Sequence, residues 1–420
     1  MNNVAKLFVI LWSVLVSNQL HAITINDSAE LHGFVSQSYV YSPDNPYAGT
    51  DAENGSLNFR EVGLNGFWEF DSHFRVAGQV LSRKVDEASD GAVKIDFLLA
   101  DYLVVSDAAA TFGVRFGRIK NQFGIYNTSR DIPNSRPGIT VPSAVYFESL
   151  RDIALTSDGV DLYGSFSSDV GLFSWDAYAG RRDIDGPAIE HYLVGTDVEG
   201  QFDEVTSKGL KLNFIPNSSH DLNFGLSVLH ILTELKDAQS TLDAQTAAFI
   251  ANPANPFAAI TNNFRPYLTG IELDALYALA SVQYGYKDWL FTAEYLNIFV
   301  DMDLEIAGSP DNVSVTSEGF YLQAEWFANE SIQTMIRYNQ LYLIDNDRQG
   351  IRNATVNNPY HGYGTGVTFG IKWLIDSDWT LAGQVSLNEG TVWLPVYEGI
   401  EQEALQENWN AYGLQLSYKF

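Results

Sequence analysis

Along most of the chain apolar side chains recur at every second position, the period of an extended strand whose two faces meet different surroundings. Phe173, Trp175 and Ala177 alternate with Ser174, Asp176 and Tyr178; Phe320, Leu322, Ala324 and Trp326 alternate with Tyr321, Gln323 and Glu325. Val367, Phe369, Ile371 and Trp373 oppose Thr368, Gly370 and Lys372 in the same way. Such segments centre near Val35, Leu64, Ala77, Phe97, Val114, Leu162, Trp175, Leu212, Leu226, Leu279, Ala293, Leu322, Ile336, Phe369, Leu381 and Leu416. They number about sixteen, an even number as a closed antiparallel barrel requires. Their connections alternate in length. Short turns fall at 71–72, 106–109, 168–169, 217–220, 287–288, 329–330 and 376–378 and carry the Asp, Asn and Ser that turns prefer. Long connections run over 41–57, 84–93, 120–157, 181–205, 235–266, 301–315, 344–362 and 388–407. The pattern predicts an all-β chain: one transmembrane antiparallel β-barrel with every short turn at one end. Trp68, Phe70, Tyr286, Trp289, Trp326, Trp373 and Trp379 lie beside the short turns, where an interfacial girdle of rings would sit.

The first 22 residues read differently. Met1–Lys6 carry one positive charge, Leu7–Val16 are a ten-residue apolar run, and Ser17–Ala22 are polar and end on a small residue. This is the layout of a secretory signal peptide, too short to span as a helix, with cleavage expected after Ala22 and residues 23–420 left as the barrel domain. At the other end Tyr412, Leu414, Leu416, Tyr418 and Phe420 share one face, with Gly413, Gln415, Ser417 and Lys419 on the other. A last amphipathic strand ending on an aromatic residue is similar to the closing strand of bacterial outer-membrane barrels. In that group the pattern is the address read by the barrel-insertion machinery.

Composition agrees with alternating faces. The chain has 25 Phe, 22 Tyr and 9 Trp, yet its mean hydropathy is only −0.09, because lipid-facing and water-facing positions average out. The absence of Cys excludes disulfides and thiolate metal sites. With 52 acidic against 24 basic residues the net charge is −28, which excludes nucleic acid as a partner. Charge on a lipid face is costly, so the acids are expected in loops and lumen. Several cluster in the outer connections: Asp86, Glu87 and Asp90; Asp183 and Asp185; Asp301, Asp303 and Glu305; Asp345 and Asp347; Glu398, Glu401 and Glu403. Such oxygens suit Ca²⁺ or Mg²⁺ bridged to lipopolysaccharide phosphates, but none has EF-hand spacing, so they read as solvated charge and no metal is expected.

The segment 120–157 is unusual. It holds three prolines, two glycines and many apolar residues, too greasy for a free surface loop of that length, and is expected to pack. Here the chain acquires a resemblance: VRFGRIKNQFGIYNTSRDIPNSRPG (114–138), PSAVYFESLRD (142–152) and SDGVDLYG (157–164) resemble the bacterial porin superfamily, particularly phosphate-selective-porin-like and other sixteen-stranded trimeric porins. The resemblance is specific over 114–164 and looser over the rest. It implies a constriction loop after the fifth predicted strand, a homotrimer resident in the outer membrane among lipid and lipopolysaccharide, and passive diffusion of small polar solutes with no cofactor. It does not carry the identity of the solute.

Charge placement suggests a mechanism. Between Thr111 and Asp152 the basic residues Arg115, Arg118, Lys120, Arg130, Arg136 and Arg151 outnumber Asp131, Glu148 and Asp152. If the loop folds inward these arginines line the narrowest point, where rings of charge set selectivity, and favour anionic or zwitterionic solutes. A plainer role is available for Arg130 and Arg151: pairing with their neighbours Asp131 and Asp152 to hold the loop to the wall. Arg75 and Arg83, eight residues apart and so on one face, would form a second wall with Lys94 and Asp96. Opposed to Asp131, Glu148 and Asp152, that wall would set up a transverse field. Asp161, Asp176, Glu294, Glu325 and Arg337 read as lumenal by alternation. Two rival functions are a receptor or adhesin barrel, using the long connection 237–266, and a barrel enzyme. After signal removal six His remain (His32, His73, His191, His220, His230 and His361), and no G-x-S-x-G, H-E-x-x-H or P-loop pattern occurs, so no catalytic site is expected.

Overall fold

A computed structural model of the chain describes residues 23–26, 28–48, 54–85, 89–148, 151–183, 204–218, 220–235, 268–306, 309–350, 358–394 and 405–420; the segment read as a signal peptide lies outside them. The described strands are β1 (Ile23–Asn26), β2 (Ala29–Tyr41), β3 (Arg60–Glu69), β4 (Phe74–Lys84), β5 (Asp90–Ser106), β6 (Ala110–Lys120), β7 (Thr156–Ser168), β8 (Gly171–Arg182), β9 (Val205–Pro216), β10 (Asp221–Leu235), β11 (Leu268–Tyr286), β12 (Trp289–Ile306), β13 (Ser309–Phe327), β14 (Ile332–Tyr342), β15 (Tyr363–Leu374), β16 (Trp379–Gly390) and β17 (Asn408–Lys419). Each of the sixteen predicted centres falls in one strand of β2–β17. These pair antiparallel in chain order, and β17 pairs back with β2, Lys419 opposite Phe34, closing the ring. Phe420 and Gly33 exchange two backbone hydrogen bonds of 3.0 and 2.9 Å. Beyond that point β1 takes over the edge of β2, Ile23 opposite Leu31, so it continues the line of β17.

The short turns are built by their side chains. Asp71 Oδ1 accepts from the backbone N–H of His73 (2.7 Å) and Phe74 (2.9 Å), and Asp107 Oδ1 accepts from Ala109 and Ala110. Asn329 and Asp376 do the same in two further turns. These backbone bonds hold the Asp71 and Asp107 carboxyls below the usual carboxylate range. One long connection is otherwise than expected. Over 301–315 the strands β12 and β13 stay paired out to Ile306 opposite Ser309, so the stretch is a tall hairpin tip and not a loop.

The faces are those of a barrel in lipid. On β13 and β15, Leu322, Trp326, Phe369, Ile371 and Trp373 point outward and are exposed, while Tyr321, Gln323, Glu325, Thr368 and Lys372 are buried inside. The aromatic girdle forms as expected, with Trp68 stacked on Phe70 (5.3 Å) and Trp289 on Trp326 (6.0 Å). On the final strand Tyr412 and Leu414 are exposed on the outer face and Gln415 and Ser417 buried inside.

Towards the long-connection end of β10–β12 the inner face turns apolar, while the outer face passes from Leu276, Tyr295 and Phe299 to acids near the tip. Leu229, Ile231, Leu273, Leu279, Leu296, Ile298, Val300 and Met302 are buried on the inner face, whereas Glu272, Asp301 and Asp303 are exposed. Acids do not face hydrocarbon, so the tip bearing Asp301 and Asp303 stands clear of lipid, and the apolar inner face below it needs a cover. The segment 121–155 supplies it: Phe123, Tyr126, Val141, Val145, Tyr146 and Ile153 join those wall residues in one cluster. Burying each large apolar side chain stabilises by about 1.5–3 kcal/mol, which is why the loop folds inward.

The closing strand has a specific seat. A Cβ at Gly33 would lie 2.4 Å from the Phe420 ring, so Gly33→Val is expected to displace that ring and unpair the end of β17. Heat-modifiable mobility in gel electrophoresis checks this: the folded fraction of the membrane-extracted variant should fall several-fold, and an unchanged fraction would show the seat to be dispensable.

Candidate functional site

The segment between β6 and β7 contains a 3-10 turn (Pro133–Ser135) and a short helix α1 (Arg151–Leu155). Peptide groups carried inside a barrel need partners, and this segment finds them on three sectors of wall. On β3–β6 the partners are charged. Arg136 forks over Glu61 (3.0 and 2.5 Å), which also accepts from Arg83 at 3.2 Å and from Ser36 Oγ at 3.2 Å. Arg83 and Arg130 both bond Glu148, the latter at 3.2 Å. Arg151 (2.5 Å) and Lys120 (2.9 Å) share Asp131, and Lys120 also meets Asp96 at 2.7 Å. On β11–β13 the hub is Glu294, which accepts from Ile125 N–H (3.0 Å), Ser281 Oγ (2.9 Å), Tyr146 Oη (2.6 Å) and Tyr321 Oη (2.8 Å). On β14–β16 the wall donates to the loop's carbonyls: Arg337 to Thr140 (3.1 Å) and Lys372 to Asn134 (2.9 Å) and Arg136 (2.7 Å). Gln384 Oε1 accepts from Ile139 and Thr140 N–H at 2.9 and 3.2 Å. The loop therefore crosses the lumen. Burial raises the Asp131 carboxyl, but Arg151 and Lys120 outweigh it and hold the group well below the usual range. Glu148 is likewise raised by burial and brought below that range by Arg83 and Arg130.

This arrangement corrects part of the sequence reading. Lys120, Arg130, Arg136 and Arg151 do not form a bare positive ring; each is bonded to a carboxylate, with side chains only 4–11% exposed. Arg130 reaches Glu148, leaving its neighbour Asp131 to Arg151 and Lys120. Arg83 bonds Glu148 directly, so those two do not face each other across a pore. Arg118 lies on the outside: Arg115 points inward, and Arg118, three positions on, points outward with Phe116 and Val160, bonded to Asp158 at 2.8 Å. Its parity, legible in the sequence, was the signal that grouping by charge overrode.

A second group sits on the inner face of β4–β9 towards the short-turn end. Register places Arg75 opposite Asp101, Asp101 opposite Arg115, Arg115 opposite Asp161, and Asp176 opposite Lys211. Arg75 bonds Asp101 (2.8 Å), and Arg115 bonds Asp161 (2.8 Å) and Asp176 (3.4 Å). The Arg115 guanidinium lies 3.8 Å from the centroid of the Tyr163 ring, whose position Gly113 permits, a Cβ there falling 2.4 Å from the ring. The cations are the wetter partners: Arg75 is 48% exposed against 3% for Asp101, and Arg115 22% against 1% for Asp161. Arg75 thus turns a guanidinium edge to water with Asp101 behind it, an arrangement able to meet an oxyanion, whereas beside Arg115 the Asp176 carboxylate is 17% exposed and nearly as open as the cation. Asp161, Asp176, Glu294, Glu325 and Arg337 all point inward as read from alternation. Glu61, Asp101 and Tyr163 were missed, because only register brings them to the arginines.

His361 is buried in a 3-10 turn (Pro359–His361), bonded through Nδ1 to Thr391 Oγ1 at 2.6 Å; burial pushes its pKa down to about 4, so it is neutral at pH 7. Among the described residues no three acids or histidines gather as a cation site. Asp301 and Asp303 instead accept from Ser314 and Asn312. The connection 237–266 and the acids Asp86, Glu87, Asp185, Glu398, Glu401 and Glu403 lie outside the described residues.

The lowered Asp131 carboxyl links the loop to acid. Its stabilisation is complete above the unfolded value of about 3.9 and is lost as pH falls from there towards the folded value. Protease sensitivity of the loop in folded, detergent-held protein should be flat from neutral pH down to about 4 and rise below it. Asp131→Asn should be sensitive at every pH, since it leaves Arg151 and Lys120 short of a charge, an effect of about 3–5 kcal/mol for a buried pair; equal resistance in variant and wild type would show the pair to be idle.

No family model matches the chain, and no curated protein matches it. Solved structures do. The outer-membrane-expressed OmpT of Vibrio cholerae aligns at TM-score 0.54 and 10% identity over 95% of this chain and 100% of its own. An anion-selective porin from Comamonas acidovorans aligns at 0.53 and 11% over 94% and 99%, and the outer-membrane channel DcaP of Acinetobacter baumannii at 0.52 and 9% over 96% and 100%. At such identities the likeness is one of fold. The chain has the sixteen-stranded barrel fold of outer-membrane porins.

Proposed function

We propose that the chain forms a water-filled channel in the bacterial outer membrane for passive diffusion of small polar solutes, with anionic or zwitterionic solutes favoured. The observation that carries the reading is the division of charge inside the barrel. The loop cations are neutralised by Glu61, Asp96, Asp131 and Glu148 and act as anchors, whereas Arg75 and Arg115 expose guanidinium edges to the lumen in front of buried carboxylates. A passing carboxylate or phosphate meets donors first, and in a narrow pore the nearest fixed charge dominates selectivity. Selectivity on this reading rests with Arg75 and Arg115, while Lys120, Arg130, Arg136, Arg151, Arg83 and Glu148 set the bore by holding the loop. A trimer form is known for the V. cholerae OmpT structure, and a homotrimer set in lipid and lipopolysaccharide is the assembly proposed for this chain. Secretion by the 1–22 signal and assembly by the barrel-insertion machinery, addressed by Tyr412, Leu414, Leu416, Tyr418 and Phe420, complete the reading. The chain acts as a conduit and not as an enzyme.

Single-channel conductance and reversal potential of the detergent-extracted protein in a planar bilayer under a salt gradient test this. Anion-preferring channels opening in steps of three are expected. Arg75→Gln with Arg115→Gln should move the reversal potential towards cations by several-fold in permeability ratio at little change in conductance. Arg136→Gln, by freeing the loop from Glu61, should raise conductance and open-channel noise while leaving the ratio near wild type. Folded protein that forms no channel would overturn the reading.

A further inference from the structure

His361 plays no part in the proposed conduction, yet it ties together three of the long connections. It ends the 3-10 turn Pro359–His361 just before β15. Leu343, the first residue after β14, donates its N–H to Gly362 O at 2.9 Å, which seats the turn on the chain leaving that strand. On the other side stands Thr391, the first residue after β16: its N–H donates to Tyr360 O (2.8 Å) and its Oγ1 meets His361 Nδ1 (2.6 Å). Tyr360 Oη donates to Leu405 O at 3.1 Å. Asn45, in the connection between β2 and β3, exchanges two hydrogen bonds of 2.8 and 2.7 Å with the backbone of Gln406. Under these bonds Leu394, Leu405, Trp409 and Ala411 pack with Tyr47 and Trp393. Trp409 and Ala411 share the inner face of β17 with Gln415, so the knot of connections folds inward at the long-connection end.

We infer that His361 is an acid-sensitive clasp: a proton on its ring drives the ring out to water, frees the turn from Thr391 and lets these connections swing clear of the mouth. Thr391 Oγ1 directs its own hydrogen to Tyr360 O (3.4 Å), so His361 Nδ1 is the donor in the ring bond and Nε2 carries the lone pair. His361 is 4% exposed, and among the described residues its Nε2 has no partner. A proton there sets an unmatched N–H and a charge in that burial. The titratable and charged groups on the elements around the turn are Tyr363 on β15, Glu389 on β16, Glu407 before β17, and Asp345, Asp347 and Arg348 after β14. Glu407 accepts from Tyr363 Oη at 2.6 Å and Arg348 donates to Glu318 at 2.6 Å; among the described residues the ring itself bonds only Thr391. Burial lowers the ring from its ordinary value of about 6.5 to about 4. A lowered histidine stabilises fully above the unfolded value, so the clasp is whole above about 6.5 and is lost as pH falls from there towards 4. That window lies above the one in which the Asp131 anchor fails, so the connections loosen while the constriction loop stays in place. The mouth concerned is that of the proposed channel, and the inference rests on that reading to this extent.

The chain has no Cys, so a single introduced thiol reports on the clasp. Ala411→Cys, at a buried position under the knot, is made alone and together with His361→Phe. Its reaction with 4,4′-dithiodipyridine, a reagent active in acid, is measured in folded, detergent-held protein and divided at each pH by the rate for free N-acetylcysteine. With His361 in place the relative rate should be flat above pH 7 and rise about twentyfold between pH 7 and pH 5. With His361→Phe, which fills the space and carries no proton, it should be flat over that range, whatever its level. A rise that persists with His361→Phe, or no rise with His361 in place, would overturn the clasp. Heat-modifiable mobility checks that both proteins are folded. The thiol is read without conduction. In a planar bilayer, acid on the side bearing the long connections should raise open-channel noise with His361 and leave it unchanged with His361→Phe. A thiol that responds while no channel forms would sink the channel reading and keep the clasp; a selective channel with an unresponsive thiol would do the reverse.

Discussion

Closure of the sheet is the constraint on which the rest of this molecule depends. In hydrocarbon an unpaired peptide group costs several kcal/mol, so a sheet that spans lipid has no free edge. Here the last edge is removed by pairing β17 with β2, completed by Phe420 and Gly33 and extended by β1. Closure in turn fixes the inside and outside of every strand. Side chains alternate strictly, so once Arg115 points into the lumen, Phe116 and Arg118 cannot.

Inside the ring, polarity follows what each height must touch. Where the wall meets lipid, Leu322, Phe369 and Ile371 face out and Gln323, Glu325 and Lys372 face in. Higher up the inner face is apolar too, with Leu296, Ile298 and Val300 receiving the loop, and only at the tip do Asp301 and Asp303 face outward. The loop is held there by apolar burial on one flank and by charge on the other. Its ion pairs are buried, so they add specificity of position more than net stability: desolvation offsets much of the attraction, while loss of one partner is costly. The consequence for transport is a division of labour. Arginines that look alike in composition are anchors where a carboxylate and burial enclose them, and in the proposed channel the ones a solute would meet are those that water reaches.

Much of this was legible from one residue after another. The period of two located the sixteen wall strands, the Asx residues located the turns, and the greasy content of 120–157 pointed to a packed loop, because each of these depends on neighbours within a few positions. The hairpin at 301–315 was misread because acids in sequence look like loop whether or not their backbone stays paired. Arg118 was misassigned because charge was weighed above parity.

The sequence by itself determined the alternation, the closing strand and the presence of an inward-packing segment, since these arise from local geometry and the choice between lipid and water. Which arginine answers to which carboxylate was decided only by tertiary structure. Glu61 and Arg136 stand 75 residues apart, and Ile125 and Glu294 stand 169 apart. Their encounter is set by the register of the closed sheet and the path of the loop across it, and no local pattern encodes a distance of that kind. So too with exposure: whether a guanidinium faces water or a buried carboxylate is a property of the space around it, which exists only once the barrel has closed.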